Sequence, residues 1–170
     1  MSDPAQVPNR SIRTFNSPLE CGLRLLFVLD AAGGAPSDLQ RLVSYDYLLV
    51  HSGDVTQSLP SLHPPIPFRA SELLVKRDVV RQGLNKMYSK ELLEKGFEPT
   101  GIAYRATKLT TAFLKLLRSP YSEALRIRAR WLVEFCGPMD DGEFAGFMSE
   151  DIGRWGPEFD RHSAPVGVEL

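Results

Sequence analysis

The stretch LLEKGFEPTGIAYRA, residues 92–106, decides the fold expected of this chain. Two short runs of strand-forming residues flank the turn Pro99-Thr100-Gly101. Proline and glycine close together are typical of a tight turn, so the segment predicts a β-hairpin. Thr107 follows the hairpin directly, and a threonine at this place predicts that a helix begins there.

Serine residues mark the starts of four further predicted helices: Ser17, Ser37, Ser71 and Ser119. Ser17 has Glu20 three residues later, as in a capping box, and Ser37 has Gln40 in the same position. The first helix is apolar nearly all round, runs to about Ala31 and is predicted to be the buried central one. The resulting order predicts a mainly α chain with a small β-hairpin, a winged-helix-like domain with additional C-terminal helices.

Helical spacing predicts which side chains face the core. The third helix is expected to bury Leu74, Val75, Val79, Leu84 and Met87, and to leave Lys76, Arg77, Arg81 and Lys86 outside. The helix after the hairpin is expected to bury Leu109, Ala112, Phe113, Leu116 and Leu117. The last is expected to bury Tyr121, Ala124, Leu125, Ala129, Leu132 and Phe135, and to end at Gly137.

Composition indicates an ordinary globular chain of one domain, with 170 residues, 43% of them hydrophobic, and a formal net charge of -1. The predicted boundaries are a flexible arm at 1–14, the winged-helix-like domain at 15–137 and an acidic extension at 138–170. We expect this extension, with its isolated aromatics, to dock a partner rather than join the core. The apolar run Leu23–Leu29 is too short for a membrane span, and residues 1–9 lack a secretory signal pattern, so the expected location is cytoplasmic.

The small net charge conceals a basic middle and an acidic end. Residues 69–130 hold 14 Lys and Arg against 6 Asp and Glu, whereas residues 138–170 hold 2 against 8. A basic surface suits phosphates or an acidic partner, although solvated helix faces give the same pattern. The candidate DNA- or partner-binding residues are Arg69, Lys76, Arg77, Arg81, Arg126 and Arg130.

Catalytic patterns in the sequence are weak. Asp46, His51, Asp54 and His63 together suggest a metal site or an acid–base pair, but Asp46 and His51 are five residues apart and lie on different helical faces. A structural role for these four is favoured. Cys21 and Cys136 lack metal-ligand spacing and are predicted to be reduced and buried. The sequence thus predicts no enzyme, no cofactor and no metal site.

Four ordered segments resemble a bacterial family: Phe15–Glu20, Asp46–Asp54, Ser61–Pro64 and Arg128–Trp131. The set is similar to the middle component of ABC three-component conflict systems, the small subunit of Lamassu-type anti-phage and anti-plasmid operons, over about residues 15–135. The resemblance implies a non-enzymatic adaptor that bridges an SMC/Rad50-like ABC ATPase and an effector, often a nuclease. It implies that DNA is engaged through the complex, with no membrane and no small-molecule substrate. Its motif residues would be structural: Asn16, Ser17, Glu20, Asp46, His51, Asp54, His63 and Trp131.

Two other functions stay open at this point. One is a winged-helix DNA-binding transcription regulator that uses Arg77 and Arg81, i and i+4 neighbours on the helix before the hairpin. The hairpin turn Pro99–Gly101 carries no Lys or Arg, which weakens this alternative. The other is a metal-dependent hydrolase built on Asp46, His51, Asp54 and His63.

Overall fold

The structure is a computed structural model that describes residues 16–66 and 69–150, with the backbone alone at 69–72. These residues form six α-helices and one small sheet. In chain order the elements are α1 (Pro18–Ala31), β1 (Ser37–Asp38), α2 (Leu39–Val50), a single 3-10 turn (Ser52–Asp54), α3 (Arg69–Ser89), β2 (Leu93–Glu98), β3 (Gly101–Ala106), α4 (Lys108–Leu114), α5 (Pro120–Cys136) and α6 (residues 141–150). The predicted mainly α class with a small β element is confirmed. The flexible arm at 1–14 lies outside the described residues.

The helix starts that serine and threonine predicted at Ser17, Thr107 and Ser119 are confirmed. The Ser17 hydroxyl accepts a hydrogen bond from the Glu20 amide, and the Glu20 carboxylate accepts one from the Ser17 amide. Thr107 caps α4, and Ser119 caps α5 with Pro120 in the first turn. Each cap satisfies amides that the first turn of a helix leaves without a partner.

The second helix starts differently from the prediction. Asp38, not Ser37, is its N-cap, and the Asp38 carboxylate accepts from the Arg41 amide at 2.8 Å. Ser37 and Asp38 instead form β1, which pairs antiparallel with β3 at Tyr104 and Ala103. The sheet therefore has three strands in the order β1-β3-β2. A two-residue strand is too short to show an alternating pattern.

The third helix, α3, is continuous from Arg69 to Ser89, with Gly83 in its interior. It begins at Arg69, before the predicted start at Ser71. Gly83 lies against Gly22 of α1, where a Cβ on Gly83 would fall 2.3 Å from the Pro18 carbonyl oxygen and 2.8 Å from the Gly22 nitrogen. Gly83 thus permits close backbone contact between α1 and α3, which is the reason that a glycine stands inside a helix.

Several inward-facing predictions are wrong. Leu74 and Val75 of α3 are 80% and 59% exposed, and Leu109, Ala112, Leu116, Tyr121 and Phe135 are also exposed. On α4 the buried side is instead formed by Thr110 and Leu114. The Thr110 hydroxyl donates to the Leu92 carbonyl, so a polar residue at this position is satisfied inside the fold.

The region after Gly137 is a core element as far as residue 150, which corrects the expectation of a docking tail there. Asp140 and Glu143 form a reciprocal cap at the start of α6, with both bonds below 3.0 Å. Phe144 and Met148 of α6 are buried in the hydrophobic core. Arg41 of α2 holds α6 in place, since its guanidinium donates to the Met139 carbonyl and lies over the Phe144 ring. Residues 151–170 lie outside the described residues.

A buried ionic cluster and the loop it adjoins

Three charged side chains from three different helices meet inside the fold. Asp46 of α2 is fully buried, and Arg24 of α1 and Lys76 of α3 are each 3% exposed. Arg24 holds both oxygens of the Asp46 carboxylate, with Nε to Oδ1 at 2.8 Å and Nη2 to Oδ2 at 2.9 Å. Lys76 Nζ donates to Oδ2 at 3.2 Å. We call Arg24, Asp46 and Lys76 the ionic cluster.

The ionic cluster keeps Asp46 charged. Burial alone would raise the pKa of Asp46, but the Arg24 guanidinium and the Lys76 ammonium outweigh burial and hold this pKa below its ordinary value. Cys21 lies beside the cluster, 3.3 Å from Arg24 Nη2. Its burial, assisted by the Asp46 charge, raises the pKa of the Cys21 thiol to about 12. Asp46 is therefore ionised at neutral pH, whereas Cys21 remains a neutral thiol.

A loop, residues 51–66, begins where α2 ends and folds back onto the end of that helix. We call it the anchored loop, because its backbone is tied down at several points. The amides of Leu62 and His63 both donate to the Val50 carbonyl, at 2.8 and 3.2 Å. The Gly53 amide donates to the Ser61 hydroxyl at 3.1 Å, which closes the loop on itself.

Arg128 of α5 is the main side-chain anchor of the loop. Its guanidinium donates to the Pro60 carbonyl at 2.6 Å, to the Ser52 hydroxyl at 3.2 Å and to the Ala124 carbonyl of its own helix at 3.0 Å. Arg128 is 8% exposed. A guanidinium presents several donors in a fixed plane, so one side chain can fix two ends of a loop.

Aromatic and imidazole rings fill the space between the loop and the helices. His63 Nε2 lies 2.9 Å from the Tyr121 hydroxyl, and the two rings are stacked with centroids 6.2 Å apart. The Tyr47 hydroxyl donates to Asp54 Oδ2 at 2.6 Å. His51 lies between these pairs, with its ring centroid 4.8 Å from Tyr47 and 6.3 Å from His63.

The residues that suggested a metal site are engaged in other contacts. The Asp46 oxygens are both engaged by cations, Asp54 accepts from Tyr47, and His63 is paired with Tyr121. Within residues 16–66 and 69–150, no group of three or more His, Cys, Asp or Glu is arranged to hold a metal ion. The arrangement can position a loop and hold four helices together through polar contacts.

The basic candidates divide into buried and exposed groups. Lys76, expected on the surface, is buried, and that expectation is wrong because Lys76 reaches inward to Asp46. Arg126 is partly buried, pairs with Glu123 and donates to the Leu114 and Leu117 carbonyls at 3.0 and 3.4 Å. It thereby satisfies carbonyls at the end of α4.

Arg77, Arg81 and Arg130 are exposed. Arg77 donates to the Gln40 side chain at 2.7 Å, and Arg81 pairs with Asp78 on the same helix at 3.0 Å. Of Arg69 only the backbone is described, as the first residue of α3. The five candidates whose side chains the structure describes are therefore not gathered on one exposed surface, because Lys76 is buried and Arg126 is partly buried.

Three residues of this site were missed from the sequence: Arg24, Tyr121 and Arg128. Arg24 carried a signal, because a single cation inside the apolar helix α1 needs a buried anion nearby. Arg128 belongs to the motif segment Arg128–Trp131 but has no predicted role of its own, and Tyr121 is predicted to face the core. Trp131, a motif residue, is partly buried and stacks on Phe135 with ring centroids 5.7 Å apart.

Lowering the pH is expected to destabilise the fold through His63. Burial, with the nearby Arg24 and Lys76 charges, lowers the pKa of His63, so the unfolded chain takes up this proton first. The contribution of His63 to the free energy of unfolding should be fully present above the ordinary histidine pKa of about 6.5. It should decrease as the pH falls towards the lower pKa that His63 has in the folded chain. Urea unfolding at several pH values measures this loss, and His63→Gln should reduce it. An unchanged pH dependence in this variant would contradict the assignment.

Arg128→Met is expected to release the anchored loop. The change removes charged hydrogen bonds to Pro60 and Ser52, so the free energy of unfolding should fall by about 1.5–3 kcal/mol. Limited proteolysis should cut within residues 53–64 faster than in the wild type. Arg130→Met, at an exposed position of the same helix, is the matched control and should stay within about 0.5 kcal/mol. Equal behaviour of the two variants would refute the anchoring role.

Comparison with protein families identifies a family model that covers most of the chain. The model of the ABC-three component (ABC-3C) system Middle Component 2 family matches residues 14–158. The chain belongs to this family. The Middle Component 2 match includes the ionic cluster, the anchored loop and α6, and it continues beyond residue 135, where the resemblance in the sequence was expected to end.

Membership of the Middle Component 2 family makes the chain a component of an ABC three-component system. The comparisons with curated proteins and with solved structures found no match. Across the helices that the structure describes, none has the length and apolar character needed to cross a membrane.

Proposed function

We propose that the chain is a non-enzymatic adaptor subunit of a Lamassu-type defence complex against phages and plasmids, acting in the cytoplasm. It bridges an SMC/Rad50-like ABC ATPase and an effector, often a nuclease, and meets DNA through the complex. The observation that carries this proposal is the Middle Component 2 match over residues 14–158.

The geometry of the motif residues supports a scaffold role. Asp46 is bound by Arg24 and Lys76, Asp54 by Tyr47, and His63 by Tyr121. Each of these groups is bonded to another side chain of the domain, which favours a part in shaping the anchored loop over a part in chemistry on a substrate.

Exposed apolar side chains support docking to larger proteins. Phe97 of β2 is 89% exposed, and its partner across the hairpin, Ile102 of β3, is 47% exposed. Leu74 of α3 is 80% exposed. Large apolar side chains on a surface favour protein contacts, because burying them removes apolar area from water.

We also propose that the chain contains a winged-helix-like module, which the order of its helices and strands, α1-β1-α2-α3-β2-β3, supports. In such a module α3 precedes the hairpin and the sheet closes with β1 beside β3, as in the order β1-β3-β2. We propose that α4, α5 and α6 are additions that enlarge this module for partner contacts.

Co-purification tests the adaptor proposal. The tagged full chain, expressed together with the other genes of its operon, should bring down a coiled-coil ABC ATPase and an effector, identified by mass spectrometry. Recovery of the chain without either protein would overturn the proposal. If the chain bridges the other two components, deletion of its gene from the operon should abolish the co-purification of the ATPase with the effector.

DNA binding by the chain alone is the second candidate, favoured by the exposed Arg77 and Arg81 on α3. The proposed adaptor should bind duplex DNA weakly and without sequence preference. Nanomolar binding to a preferred sequence, lost in Arg77→Ala/Arg81→Ala with a salt slope reduced by about two, would instead establish a regulator. Lys90→Ala, at an exposed position outside the six candidates, is the control.

A further inference from the structure

The short helix α4 and the turn after it leave two leucines in solvent. Leu116 is 75% exposed and Leu109 is 49% exposed. They are seven residues apart, and the chain keeps a helical course between them because the Leu116 and Leu117 amides donate to the Phe113 and Leu114 carbonyls. Seven residues are close to two helical turns, so the two leucines lie on one side, about 10 Å apart along the axis.

Cations surround these leucines. Between Pro99 and Ser122 the sequence has four Lys and Arg and no Asp or Glu. Exposed Lys108, Lys115 and Arg118 belong to α4 and its following turn. Two acidic side chains near this region are already bonded, Asp30 by the Thr111 hydroxyl and Glu123 by Arg126. We define the α4 face as the exposed side chains of Lys108, Leu109, Ala112, Lys115, Leu116 and Arg118.

We propose that the α4 face docks an acidic amphipathic helix of a partner protein, an inference that rests on the proposed adaptor function. The three cations select acidic side chains, since charges of opposite sign across an interface set orientation and exclude wrong partners. The two leucines select apolar anchors, because a phosphate backbone would leave their exposed area in water. A spacing of one heptad matches the apolar positions of a second helix packed alongside.

Binding at the α4 face therefore requires both acidic and apolar side chains in the ligand. A peptide three heptads long, with leucine at the two apolar heptad positions and glutamate elsewhere, is the probe; the control peptide has lysine in place of glutamate. Fluorescence anisotropy with the full chain should show binding of the acidic peptide and no binding of the lysine peptide. Leu109→Glu/Leu116→Glu should weaken this binding at least about tenfold, and Lys115→Glu/Arg118→Glu should weaken it and reduce its salt dependence.

Control variants separate this face from general surface stickiness. Leu74→Glu/Val75→Glu alters another exposed apolar pair, on α3, and should leave binding of the acidic peptide unchanged. Thermal unfolding should confirm that the two leucine variants, Leu109→Glu/Leu116→Glu and the α3 control Leu74→Glu/Val75→Glu, remain folded, as expected for exposed positions. Equal losses in the two variants, or no binding of the acidic peptide, would overturn the inference. Mixed-sequence duplex DNA that competes with the acidic peptide for Lys115 and Arg118 would also overturn it, because the face would then be a nucleic-acid surface.

The operon-based co-purification distinguishes this inference from the proposed function. If the wild-type chain brings down the ATPase or effector and Leu109→Glu/Leu116→Glu brings down less of one of them, both stand. Equal recovery by the two chains would overturn the α4 face and leave the adaptor function in place. If the wild-type chain brings down neither protein while the acidic peptide still binds α4, the adaptor function fails and the peptide specificity of the face stands.

Discussion

Asp46→Ala is expected to remove a large share of the stability of the domain. The substitution leaves the Arg24 guanidinium and the Lys76 ammonium, both 3% exposed, without their anion. Removing one partner of a buried ion pair costs about 3–5 kcal/mol, because the remaining charge stays out of water. The total free energy of unfolding of a typical domain is only about 5–15 kcal/mol. Urea unfolding followed by circular dichroism measures the loss.

An exposed ion pair provides the control for Asp46. Asp78 pairs with Arg81 on the surface of α3, with side chains 74% and 57% exposed, so Asp78→Ala should cost no more than about 1 kcal/mol. Replacing all three members of the ionic cluster by apolar residues, as in Arg24→Met/Asp46→Leu/Lys76→Met, should restore much of the loss. A loss below about 1 kcal/mol for Asp46→Ala would show that the two cations find water without Asp46.

Gly83→Ala is expected to separate α1 from α3. The added Cβ would lie 2.3 Å from the Pro18 carbonyl oxygen and 2.8 Å from the Gly22 nitrogen, both backbone atoms that cannot rotate away. One helix must shift, and we expect a loss of about 3 kcal/mol in the free energy of unfolding, near the upper end for overpacked cores. Because α3 leads directly into β2, the shift should also change the amide chemical shifts of the hairpin.

Gly146→Ala is the matched control, since Gly146 also lies inside a helix but a Cβ there meets nothing within 4 Å. Alanine favours a helix over glycine, so this variant should gain about 0.5–1 kcal/mol. In the same urea-unfolding experiment, the free energy of unfolding should therefore fall in Gly83→Ala and rise in Gly146→Ala. A neutral Gly83→Ala would mean that α1 and α3 can move apart at little cost.

Local signals in the sequence predicted the positions of most helices and the hairpin. Ser17 with Glu20, Thr107 and Ser119 with Pro120 each act within one turn, so the printed sequence contains all that determines them. The β1 strand depends on pairing with Tyr104, far along the chain, and no local pattern indicates it.

Side-chain orientation and the site were harder to predict. Lys76 resembles any surface lysine until the buried Asp46 is known to face it. Phe144 and Met148 lie in an acidic segment, and only their packing in the hydrophobic core shows that α6 belongs to the domain. The sequence pattern groups the motif residues Asp46, His51, Asp54 and His63. Arg24 and Tyr121, which bond Asp46 and His63, and Arg128, which holds the anchored loop, come from other helices.

The raised pKa of Cys21 makes this thiol a reporter of rare opening motions. With a pKa of about 12, only about one thiol in 10⁵ is ionised at pH 7, and the side chain is fully buried. Alkylating reagents react with the thiolate, so modification should wait for α1 to leave the ionic cluster. The modification rate of Cys21 then gives the frequency of these openings, and a partner that holds α1 in place should slow it.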